Sequence, residues 1–109
     1  MADERDLEEV RADIDAIDRE MQALLNRRAE CAQRVADIKL ADVLAAREAG
    51  DTDAEVVYYR PEREAQVLRA VVERNDGPLK DEEIVRLFRE IMSACLAQEE
   101  PLKVGYLGP

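Results

Sequence analysis

Between Asp6 and Lys39 the chain holds neither glycine nor proline, and its apolar or small residues recur three or four positions apart: Leu7, Val10, Ile14, Ile17, Met21, Leu24, Cys31, Val35 and Ile38. That spacing lays them along one face of a single α-helix. At roughly 1.5 Å per residue, a helix of about 34 residues is about 50 Å long. A compact globule of this chain length has a radius of gyration of only about 13 Å. A helix so much longer than the globule needs a second long helix beside it. The three-four spacing suits left-handed packing against another copy of the same chain. The pattern also allows the helix to continue through Ala41 to Ala49.

Residues 50–59 change character. Gly50 closes the preceding helix, and the acidic, small and β-branched residues that follow favour a loop. Pro61 suits the first turn of a second helix, with Glu62 and Glu64 against its positive end. Ala65, Leu68, Val71 and Val72 make its expected buried face, and Asn75 to Pro78 end it. A third helix is expected from a capping Asp81 to about Glu100, before Pro101. Its stripe is Ile84, Leu87, Phe88, Ile91, Met92, Cys95 and Leu96. The tail alternates like a strand that has no sheet to join, and is expected to be poorly ordered. The fold class is therefore all-α: three helices per chain, one very long, in an intertwined homodimer that forms a helical bundle.

With 109 residues the chain fits one domain, short for burying a large core alone. Aromatic residues are 4% and tryptophan is missing, so the interior comes from Leu, Ile, Val, Ala and Met. A net charge of -10 argues against nucleic acid as a partner. A small anion remains compatible, provided a few cations gather in a sheltered pocket. Without histidine the chain lacks the commonest general base and metal ligand, so triad hydrolysis and zinc chemistry are not expected. Carboxylates, cations and shape must do the chemistry, with no metal and no cofactor. Cys31 and Cys95 lack CxxC spacing and read as packing thiols. Neither an 18-residue apolar run nor a signal-like leader occurs, so no membrane association and a cytoplasmic location are expected.

One residue breaks the apolar stripe of the first helix. Arg28 occupies a core position, where a guanidinium needs an anion to face. That anion is either a carboxylate from helix two or three or a bound ligand. Lys39, eleven residues on, projects from nearly the same face about 16 Å away, so the two can bracket a small anion. Arg11 lies roughly 25 Å from Arg28 along the axis and reaches the same ligand only from an antiparallel second chain. Taken alone it reads more readily as a solvated helix charge. Glu99 continues the line Phe88, Ile91, Cys95, and points either inward or to water from a frayed end. The Arg60 to Glu64 run opens helix two, and also suits an ordinary charged first turn.

The same residues carry a resemblance. Leu7 to Asp18, Leu24 to Ala32, Ile38-Lys39, Tyr59 to Glu64 and Leu87 to Leu96 resemble the all-helical chorismate mutases fused to prephenate dehydratase in the bifunctional enzymes of phenylalanine and aromatic amino-acid synthesis. The tail from Val104 resembles the opening of the dehydratase. The resemblance implies a chorismate mutase domain over residues 1–100, followed at 101–109 by a linker and the first residues of a truncated dehydratase domain present in cis in the whole enzyme. Arg28, with Arg11 from the other chain, would hold the carboxylates of chorismate, and Lys39 would donate to its ether oxygen and a carboxylate. Arg63 and Glu64 match the family's second-helix pair, with Glu64 accepting from the ring hydroxyl. Cys95 falls where a relative has serine, Glu99 where members carry glutamine or glutamate, and Arg60 where some carry aspartate.

The reaction so implied is a Claisen rearrangement of chorismate to prephenate. The enzyme selects the compact conformer and stabilises charge growing on the ether oxygen. A carboxylate at Glu99 would repel that oxygen, so Glu99 is expected to work protonated, favoured by burial and by the substrate's charge. Two rival readings remain at this stage: an isochorismate-pyruvate lyase, and a non-catalytic helical dimerisation or regulatory module.

Overall fold

A computed structural model describes the backbone of residues 4–107 and the side chains of residues 6–99. Three helices follow one another: α1, Glu4–Glu48; α2, Pro61–Arg74; and α3, Asp81–Leu107. α1 runs 45 residues without a break, taking in all but the last residue of the Ala41 to Ala49 continuation that the pattern allowed. It dominates the shape, which extends 72 × 31 × 20 Å with a radius of gyration of 19.6 Å.

Gly50 ends α1 as expected, with a φ of 112° that suits glycine and strains other residues. Its N–H reaches Arg47 O at 3.1 Å, and the N–H of Asp51 reaches Ala46 O at 2.9 Å. Arg47 Nε then donates to Ala54 O at 2.9 Å, folding the connection back on the helix end. An added Cβ at Gly50 meets nothing within 4 Å, so the strain lies in the backbone alone. Gly50→Ala is expected to lower stability by about 1–2 kcal/mol. A urea midpoint equal to that of the parent would contradict this.

Extended Arg60 precedes Pro61, and its carbonyl accepts from the N–H groups of Arg63 and Glu64, both at 3.1 Å, setting the first turn of α2. At the other end of α2, Asn75 Nδ2 donates to Leu79 O and to Asp81 Oδ1, each at 2.8 Å. Asp81, expected as the cap of the third helix, is thus its first helical residue, and its carboxylate fastens the α2–α3 turn.

Both α1 and α2 pack on α3. The core is thin: Ala36 of α1, Val71 of α2 and Cys95 of α3 are buried. Gln33 Nε2 donates to Gln98 Oε1 at 3.2 Å across the α1–α3 contact. On α2, Val67 and Leu68 flank Val71 half-buried, while Ala65 and Val72, expected inside, are exposed. Of the two cysteines only Cys95 packs inside; Cys31 is exposed, with Arg34 Nη2 at 3.0 Å from its sulfur. Along α1, Leu7, Val10, Ile14, Ile17, Met21 and Leu24 are between 48% and 57% exposed. The N-terminal half of α1 therefore presents a continuous apolar face that neither α2 nor α3 covers.

The tail corrects one expectation. Residues 102–107 are helix, and α3 passes through Pro101 where a stop was expected. A proline inside a helix removes one backbone donor. An isolated strand would leave far more backbone unpaired, whereas a helix bonds its own. Gly108 and Pro109 lie outside the described residues. Among those described, no helix is long and apolar enough to cross a membrane.

Candidate active site

A cavity of about 420 Å³ opens where the C-terminal half of α1, the end of the connection, and the facing sides of α2 and α3 converge. α1 contributes Arg28, Cys31, Ala32, Val35 and Lys39, at spacings of three and four that stack them on one face. The connection adds Tyr58, Tyr59 and Arg60, and α2 adds Arg63, Glu64 and Val67. α3 supplies Arg89, Met92, Ser93, Cys95, Leu96 and Glu99.

Seven of the eight residues singled out in the sequence meet here: Arg28, Lys39, Arg60, Arg63, Glu64, Cys95 and Glu99. Arg11 does not; it is exposed on the N-terminal half of α1, far along the rod. Arg28 and Lys39 are half-buried, so their charges are only partly screened by water. Glu99 is 6% exposed, which decides the question its position left open in favour of the inward side.

Lys39 fixes the geometry of one wall. Its Nζ donates to Val57 O at 2.9 Å and to Tyr58 O at 3.4 Å, drawing the connection onto α1. An ammonium carries three donors, so one remains to point at a ligand. Next along the chain, Tyr59 lines the same cavity as Glu64. The acceptor oxygens of Glu64, then its negative charge, then a little desolvation, raise the Tyr59 pKa above its usual 10.0.

Arg89, Tyr58 and Tyr59 were not anticipated. Arg89 had a signal: it stands three, seven and ten positions before Met92, Leu96 and Glu99, on one helical line. The tyrosines had no periodic signal, because a connection assigns no face; Tyr59 stood only at the edge of the run that carries the resemblance. The cavity thus carries five cations, Arg28, Lys39, Arg60, Arg63 and Arg89, against two carboxylates, Glu64 and Glu99. This positive excess sits in a chain of net charge -10. Among the described residues no group of three or more His, Cys, Asp or Glu side chains is placed to hold a metal ion.

A three-helix chain with one rod-like helix and a cation-lined cavity matches one class of protein. Residues 10–100 fit the family model described as chorismate mutase type II, and the chain belongs to that family. More particularly, it is 50% identical over 109 residues to the bifunctional chorismate mutase/prephenate dehydratase of Pseudomonas aeruginosa, covering 100% of this chain and 28% of that protein. It is 48% identical over 96 residues to the protein of the same description from Neisseria gonorrhoeae, covering 88% and 23%. The chain therefore spans less than a third of the length of these curated relatives. Its fold is similar to that of chorismate mutase (form II) from Thermus thermophilus, with a TM-score of 0.71, 30% identity, and coverage of 86% of this chain and 93% of that one. It is also similar to chorismate mutase from Helicobacter pylori in complex with prephenate, with a TM-score of 0.70, 29% identity, and coverage of 87% and 90%.

Proposed function

We propose that this chain converts chorismate to prephenate as the mutase domain of a bifunctional enzyme of phenylalanine synthesis in the cytoplasm, with a prephenate dehydratase domain in cis. The observation that carries this reading is the excess of five cations over two carboxylates around one cavity in an acidic chain. Such a cavity suits a small dianion, and chorismate has two carboxylates.

The reaction breaks one carbon–oxygen bond and forms one carbon–carbon bond within a single molecule, so it needs no nucleophile and no cofactor. Arg28 and Arg63 hold the carboxylates, keeping the two reacting ends together. Lys39 turns its remaining donor to the ether oxygen, where negative charge grows as the bond breaks. Glu64 accepts from the ring hydroxyl, with Arg60 and the weakly donating Cys95 in the adjoining wall. Arg11 of a second, antiparallel copy closes the site, because its own chain holds it too far away. The apolar face of α1 is the surface on which that copy packs.

Glu99 is the second donor to the ether oxygen, and it donates only when protonated. Arg28, Lys39 and Arg63 favour its ionised form; burial and the two negative charges of the substrate oppose them. Wild-type activity is accordingly expected to fall as pH rises, while Glu99→Gln, a donor at every pH, gives a flatter profile. Superimposable profiles would remove Glu99 from this role. The reading as a whole is tested by a continuous chorismate-consumption assay with product identification. Prephenate is the expected product, whereas released pyruvate from isochorismate or an inert protein would refute it.

A further inference from the structure

We propose that Arg89 is a capture cation for the same substrate: its guanidinium stands in the cavity wall unpaired with any carboxylate and draws the dianion in, away from the bond that breaks. This rests on the cavity taking chorismate. Arg89 lies on α3 with Met92, Ser93, Leu96 and Glu99 three, four, seven and ten residues further on, all of them lining the cavity. Ten residues carry a helix about 15 Å, so Arg89 and Glu99 mark opposite ends of that wall. In the proposed reaction Glu99 serves the ether oxygen, which leaves Arg89 to act on the substrate's charge rather than on its reacting atoms.

Three of the other four cations in the cavity already have partners. Lys39 gives two donors to backbone carbonyls, Arg60 Nη1 comes within 4.0 Å of Glu62 Oε1, and Arg63 Nη1 donates to Gln66 Oε1 at 3.5 Å. Among the described residues no carboxylate pairs with Arg89. Its own helix explains why: the positions three and four steps away are Val85, Arg86, Met92 and Ser93, none of them acidic. Arg86, by contrast, is paired with Glu83 and does not line the cavity. Arg89 is exposed, so it acts through its field, which salt screens over about 10 Å at 0.1 M. The two carboxylates of the substrate keep their charge while the bond breaks. Arg89 therefore favours bound substrate and transition state alike, an effect read in KM and not in kcat.

Arg89→Ala is expected to raise KM for chorismate by about 3- to 10-fold at low ionic strength, with kcat changed by less than about twofold. In about 0.5 M salt the ratio of the two KM values should shrink to less than about twofold. Arg89→Lys keeps the charge and should stay within about twofold of wild type at either salt concentration. Arg86→Ala removes the same charge from the same helix outside the cavity, and should leave KM unchanged. The proposal is overturned by an unchanged KM in Arg89→Ala, a rise that salt does not reduce, a lysine variant as weak as the alanine one, or an equal rise in Arg86→Ala. If wild type turns over no chorismate, the proposed reaction fails and calorimetric titration with chorismate decides the role of Arg89. Weaker binding by Arg89→Ala at low salt upholds it, whereas equal binding, or none by either protein, ends it.

Discussion

Replacing Arg28 by alanine is expected to lower kcat/KM on chorismate by about 10²- to 10³-fold, with an unchanged circular dichroism spectrum. Alanine is the better helix former, so α1 itself loses nothing. Arg28 is half-buried at the one place where a cation interrupts the apolar line of α1, and it opens into the cavity. A paired guanidinium gives two parallel hydrogen bonds that fix a carboxylate's direction as well as its position. Arg28→Lys restores the charge but not that fork, and should recover only part of the rate. A rate within about threefold of wild type for the alanine variant would place Arg28 outside the site. Loss of helicity together with rate would make it a structural residue.

The second large effect is expected from Ile14→Glu. Ile14 and Ile17 lie midway along the exposed apolar face of α1, each about half exposed. Covering six such side chains is worth on the order of 1 kcal/mol each, and on the order of 10 kcal/mol counted from both chains. That is comparable to the whole stability of a small domain, so the face is a strong drive to pair. In the proposed symmetric pair a glutamate there would bury an uncompensated charge in each chain, costing about 3–5 kcal/mol per charge. Sedimentation at micromolar concentration should then report a monomer, and turnover should fall at least about 100-fold because Arg11 of the second copy is withdrawn. A monomer with full turnover would end the two-chain account of the site.

The features most legible in the sequence were those with a period. The run from Leu7 to Ile38 has one period and no breaker, so α1 could be read directly, and with it Arg28 as the odd residue on the stripe. Lys39 followed from helical geometry. Glu99 was ambiguous because a position near a helix end is as readily wet as dry; burial in the cavity wall resolves it. Residues 102–107 misled because alternation satisfies one condition for a strand but not the other, a neighbouring strand to bond. That Tyr59 stands in the cavity wall was illegible for a different reason. Its place depends on Lys39 pulling the connection onto α1, a contact between residues 18 and 19 positions apart that no local pattern encodes.

The unbroken run of α1 also dictates where this chain can change length. Losing one residue between Ile17 and Arg28 would turn everything before it by about 100° around the axis, swinging Leu7 to Ile17 away from the side on which Arg28 and Lys39 stand. No loop exists in that stretch to take up the slip. Between Gly50 and Val56, by contrast, an added residue has only to lengthen a surface excursion, since Arg47 at Ala54 and Lys39 at Val57 each hold a single backbone carbonyl of the connection. Drift in length is therefore expected to be confined to the connection, with the rod held to a fixed residue count.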